Sequence, residues 1–174
     1  MIITKPKERD LSDYYRSYLA TVPEFDLMEA LVKRQDEFEL FVSEIPESMH
    51  SFAYASGKWT IKEVIGHLID TERILVYRAL RIARSDQTPL PGFDENHFVL
   101  FSGYSTRTWE SIMLEKQALS DSTHYFFQFL DQDCYDRTGL ANNSNVSVRS
   151  LLFFIIAHER HHLNIIRTRY LNTP

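Results

Sequence analysis

The sequence predicts an all-α four-helix bundle. Three observations predict it: four long segments carry apolar residues at three-to-four-residue spacing, no segment shows a convincing strand alternation, and glycine is scarce at 5 of 174 residues, too few for a fold built on tight turns. The length suits one domain over residues 1–174, and no repeat, low-complexity tract or composition shift marks a second.

The first segment opens at Asp26, with Glu29 three residues on in the pattern of a capping box. Leu27, Ala30, Leu31, Phe38 and Phe41 then recur at helical spacing until Pro46. Upstream, Tyr14, Tyr15, Tyr18 and Leu19 suggest a short leading helix that stops before Pro23. The second segment has the clearest start: Thr60 as N-cap, Glu63 closing the box, and Trp59 placed as a hydrophobic staple. Its apolar face is Ile61, Val64, Ile65, Leu68, Leu75, Val76 and Ala79, and the helix fades near Ser85. A loop, TPLPGFDENHF, follows; Pro89, Pro91 and Gly92 forbid a continuous helix through it. The third segment covers about 105–130, with Trp109, Ile112, Met113, Phe126 and Leu130. After a polar loop containing Gly139 and ANNSN, the last helix starts at Ser147 as N-cap and runs to about Leu171.

Net charge is −5 with both signs interspersed, so no clustered basic surface for nucleic acid is expected. No apolar run approaches the ~20 residues that span a bilayer, so no membrane association is expected either. The single cysteine, Cys134, forms no internal disulfide, and MIITKPKERD lacks the apolar core of a signal peptide; a cytoplasmic location is the expectation.

The informative run is His158-Glu159-Arg160-His161-His162. Residues four apart share a helix face, so His158 and His162 can aim their rings at one point, on the inward arc that also carries Leu151, Ile155 and Ile166. His161 falls toward the bundle flank. A third inward ligand is offered by His67 in GHLIDTE, beside Val64, Thr71 and Ile74. Three neutral imidazoles on two helices leave a coordination position for water or substrate, the pattern of a catalytic site. Glu72 and Glu159 fall on the apolar stripes of the second and fourth segments, and a buried carboxylate needs a partner. Arg73, Arg78, the free N–H of a ligand histidine and the metal are the candidates, and both glutamates are candidate catalytic residues. The run also satisfies H-E-x-x-H, in which Glu159 is the general base of a zinc peptidase, but only twelve residues follow His162 and none is His, Asp or Glu. Asp94, Glu95, Asn96 and His97 cluster in the proline-containing loop and could overhang the pocket. Cys134, His50 and His124 read as unreactive or peripheral.

GKWTIKEVIGHLIDTERI, followed by RALRIAR, PLPGFDENHF and SVRSLLFFIIAHERHHLNIIRTRYL, resembles the DinB/YfiT-like superfamily over about 26–171. The resemblance implies an up-down-down-up bundle with a crossover between its first and second helices. It implies a divalent metal, nickel or zinc, on His67, His158 and His162, and a homodimer. Relatives include bacillithiol S-transferases, mycothiol-dependent maleylpyruvate isomerase and metal-dependent hydrolases. One departure concerns substrate: many members continue after the last ligand with Arg-Gly-Gln, where this chain has Leu163-Asn164-Ile165. The expected function is therefore that of a metal-dependent enzyme acting on a small molecule, foremost a low-molecular-weight-thiol S-transferase with a co-substrate such as bacillithiol. The alternatives are a metal-dependent hydrolase and a non-catalytic metal-binding stress-response protein.

Overall fold

The fold is set by four long helices whose buried stripes face one axis. The computed structural model describes residues 2–8, 11 and 13–171. After α1 (Asp13–Arg16) and a 3-10 turn (Leu19–Thr21) come α2 (Leu27–Ser43), α3 (Ile61–Ala83), α4 (Glu95–Ser102), α5 (Trp109–Gln128), the strands β1 (Thr138–Ala141) and β2 (Ser144–Ser147), and α6 (Val148–Ile165), which continues as a π-helical segment, Ile166–Leu171. The leading helix is therefore present in two short pieces; the side chain of Tyr14 lies outside the described residues, as do residues 1, 9, 10, 12 and 172–174 of the expected domain. Among the described residues, no helix is long and apolar enough to cross a membrane.

Side-chain pairs fix the directions. Arg34 reaches Glu159 and Arg167 lies over Phe41, so α2 and α6 run parallel. Lys62 donates to the Arg107 carbonyl at 2.7 Å and Arg73 pairs with Glu115 at 2.7 Å, so α3 and α5 run parallel to each other. Tyr170 donates to the Trp59 carbonyl, which joins the end of α6 to the start of α3 and makes that pair antiparallel. The order is up-down-down-up. α2 and α3 occupy a diagonal, so residues 44–60 cross one end of the bundle. The parallel pair α3 and α5 then requires a second long link, residues 84–108, that carries the chain back along the bundle.

Local chemistry accounts for the helix starts. Thr60 and Glu63 form a complete capping box at α3, and Ser147 forms one with Ser150 at α6. At α2 the expected box is not closed: Asp26 accepts from Met28 N and from Ile3 N, both at 3.0 Å, which ties the leading segment to the helix. Two expected loops are ordered elements. Asp94 is the N-cap of α4, accepting from Asn96 N and His97 N at 2.9 and 3.0 Å, so Glu95, Asn96 and His97 form a helical first turn, and Gly103 ends the helix at φ 71°. At eight residues α4 is too short to advertise a period. The Gly139 and ANNSN stretch is a hairpin whose two turn residues, Asn142 and Asn143, both have positive φ, the I′ geometry that Asn tolerates. Its four-residue strands are too short to show alternation in sequence. The hairpin caps the bundle end, with Gly139 packed against Ile82 and Arg137 donating to the Ala83 carbonyl.

Candidate metal centre and its cavities

His67 sits in the second turn of α3 and His158 and His162 one turn apart on α6, and the antiparallel packing of these helices brings the three rings together. His67 Nε2 lies 3.2 Å and His162 Nε2 3.1 Å from His158 Nε2. One ligand atom from each lies within 4.8 Å of the others; no other such set converges among the described residues. Tetrahedral coordination with metal–nitrogen distances of ~2.0–2.1 Å places ligand nitrogens about 3.3 Å apart, so the cluster has the size of a ligand set. Protonation states agree. Burial lowers all three rings, His67 to about 4, His162 to about 3 with help from His67 and His161, and His158 well below its ordinary value. Three neutral rings therefore present nitrogens to one point, and His158 Nε2 cannot satisfy both neighbours as a lone-pair acceptor. A Lewis acid between them resolves that conflict. Thr71 Oγ1 lies 3.4 Å from His67 Nδ1, which leaves Nε2 directed at the cluster.

Two cavities meet here. The larger, about 520 Å³, is bounded by the three histidines with Tyr15, Tyr18, Arg78, Phe93 and Glu95. The smaller, about 230 Å³, is bounded by Tyr54, Lys58, Asn96, Arg169 and Tyr170. His162 and Trp59 line both, and the Trp59 ring lies 4.9 Å from that of His67. His161, expected on the flank, is half-buried, packs edge-on to Tyr18 at 5.0 Å, and borders the larger cavity.

Glu72 and Glu159 lie elsewhere. Each of the four long helices contributes one charge to a buried cluster: Arg34, Glu72, Lys116 and Glu159 are 1, 4, 2 and 2% exposed. Arg34 donates to both Glu72 oxygens at 3.0 and 3.1 Å and its Nε lies 3.6 Å from Glu159. Lys116 Nζ lies 2.8 Å from Glu159 Oε2 and 3.4 Å from Glu72 Oε2. The contacts to Glu159 are ion pairs without hydrogen-bond geometry, since neither of its oxygens accepts a hydrogen bond. Neither carboxylate lines the large cavity; the void they share with His158 is about 10 Å³, at most one water. The candidate partners are thus corrected: Arg73 pairs with Glu115 and Arg78 donates to the Pro91 carbonyl at 2.7 Å, while Arg34 and Lys116 hold the glutamates. Sequence reading missed both cations although the signal was present, because Arg34 continues the stripe of Ala30, Leu31 and Phe38, and Lys116 that of Ile112.

The protein is thus a four-helix bundle with a three-histidine cluster at the junction of two cavities. The chain belongs to the DinB superfamily, which it matches over residues 30–166. It is 25% identical over 163 residues to a protein of Oceanobacillus iheyensis assigned as a metal-dependent hydrolase, covering 87% of this chain and 91% of the relative. Its fold matches YfiT from Bacillus subtilis, assigned as a metal-dependent hydrolase with an unusual four-helix-bundle topology, at a TM-score of 0.72 and 18% identity over 94% of this chain and 89% of that one. It also matches the mycothiol-dependent maleylpyruvate isomerase at a TM-score of 0.66 and 12% identity, over 95% of this chain and 63% of the other.

Proposed function

We propose that this chain is a divalent-metal-dependent enzyme in which His67, His158 and His162 hold the ion, and that it joins a low-molecular-weight thiol to a small electrophile. The observation that supports the metal is the convergence of three neutral imidazole nitrogens at ligand spacing. The observation that favours a two-substrate reaction is the pair of cavities that share His162 and Trp59. Zinc or nickel suits an all-imidazole donor set, and bacillithiol is a candidate thiol. When bound, a divalent cation there supplies Lewis acidity, which favours a thiolate at neutral pH. The residues do the rest. Thr71 orients His67, and Trp59 walls the junction against water. Glu95, on the larger cavity and close enough to act electrostatically on His67, would accept the thiol proton first; the thiolate sulfur then forms the carbon–sulfur bond as the leaving group departs with its electron pair. Glu72 and Glu159, paired with Arg34 and Lys116 and set off the larger cavity, take no part in this proton transfer. We place the protein in the cytoplasm as a homodimer, which sedimentation would test.

A hydrolase is the second reading, favoured by the assignment of the Oceanobacillus relative; Glu95 then takes its proton from water. The test starts with elemental analysis of protein purified without a metal-affinity column. One equivalent of metal in the wild type and none in His67→Ala is expected; equal contents would overturn the site. Thiols paired with electrophiles, run beside esters and amides, then separate the readings: turnover of the esters or amides alone would overturn the transferase.

A further inference from the structure

Arg78 is a buried cation that has no part in the proposed metal site or proton transfer. It lies eleven residues after His67 on α3, 6% exposed, on the wall of the larger cavity. Its hydrogen bond to the Pro91 carbonyl takes one of five guanidinium N–H groups. Among the described residues, no carboxylate lies within ion-pair reach of it, whereas Arg34, Arg73, Arg107 and Arg160 each have one. A buried guanidinium stays charged and is costly without a counter-charge. Its surroundings also have a character: Tyr15 stacks on Phe154 at 4.2 Å, and Phe93 and Tyr18 complete an aromatic lining.

We propose that Arg78 receives a carboxylate of the substrate, and that the larger cavity selects molecules with a flat apolar body and one anionic end. This substrate class rests on the proposed function, because the reacting end must lie at the histidines. Eleven residues of helix separate the two Cα atoms by about 16 Å, and helical side chains lean toward the N-terminus, so Arg78 points back toward the cluster. A rigid fork fits a planar carboxylate through two parallel bonds, and the rings flanking it fit an aromatic or unsaturated body.

Benzoate, benzamide and phenyl phosphate are the probes, titrated calorimetrically into the full-length protein, both metal-stripped and zinc-loaded. Metal-stripped wild type should bind benzoate about tenfold or more tighter than benzamide. Arg78→Met should lose that preference, and Arg78→Lys, which keeps charge without the fork, should retain part of it, with zinc content unchanged in both. Equal binding of benzoate by wild type and Arg78→Met would overturn the proposal. So would no preference over benzamide, a preference seen only with zinc bound, or tighter binding of phenyl phosphate. Should Arg78→Met not fold by circular dichroism, Arg78→Lys decides: a several-fold loss supports the assignment and an unchanged affinity overturns it. Wild type that binds no zinc would sink the metal reading while leaving the metal-stripped comparison intact.

Discussion

Replacing Arg34 by methionine keeps much of the side-chain volume but leaves Glu72, Glu159 and Lys116 buried with a net charge of −1. Arg34 is 1% exposed and supplies both hydrogen bonds to Glu72, at 3.0 and 3.1 Å. Removing one member of a buried pair costs about 3–5 kcal/mol. The carboxyl gives a second measure: burial alone would raise Glu72, but Arg34 and Lys116 outweigh it and hold it at about 2 against an ordinary 4.5. The pairing therefore stabilises the fold wherever this carboxyl is ionised. The folded value is the lower one, so this stability is complete above about pH 4.5 and is lost as pH falls toward 2. Without Arg34 the same burial pulls the carboxyl upward, and the variant escapes its penalty by taking up a proton. Its deficit is therefore largest at neutral pH. Urea unfolding followed by far-UV circular dichroism, with EDTA present, at pH 7 and pH 4 tests this; protonation of the histidines is common to both proteins and cancels. A deficit of about 3–5 kcal/mol at pH 7, smaller by at least ~1 kcal/mol at pH 4, is expected. A deficit below ~1 kcal/mol at pH 7, or one that does not change with pH, would show that the cluster is not the coupled set described.

Three further outcomes are expected. Metal-stripped protein should lose stability as pH falls from 6.5 toward 4, because the unfolded chain takes up protons that buried His67, at about 4, and His162, at about 3, refuse; a flat thermal-melting profile over that range would contradict it. Glu95→Gln should lower kcat by about 100-fold or more while metal content stays at one equivalent, and an unchanged kcat would remove Glu95 from proton transfer. Gly66→Ala should cost about 1–3 kcal/mol in chemical denaturation, since a methyl group there falls 2.1 Å from the Tyr104 ring; wild-type stability would mean the ring moves aside freely.

The assignment of the helices came from short-range chemistry. Thr60 with Glu63 and Ser147 mark the starts of α3 and α6 because capping bonds span three residues, and any chain that folds locally satisfies them. Where the element spanned only about two periods, as in α4 and the strands of the hairpin, the pattern had little room to appear. The pairing of His158 with His162 is also local, one turn of one helix, and was legible for that reason.

Which residues meet across helices is a different matter. His67 could be nominated from its place on α3, but only the antiparallel packing of α3 on α6 sets its Nε2 3.2 Å from that of His158. The placing of α2 and α5 against that pair gave Glu72 and Glu159 their partners in Arg34 and Lys116, and the link through α4 set Glu95 on the same cavity as Arg78. The spacing of residues along the chain carried the four long helices and most of their apolar faces, and it singled out His67, His158 and His162 as candidate ligands. The neighbours across helices were set by the assembled bundle, because such partners are chosen by helix order and rotation, and neither is written in the spacing of any one segment.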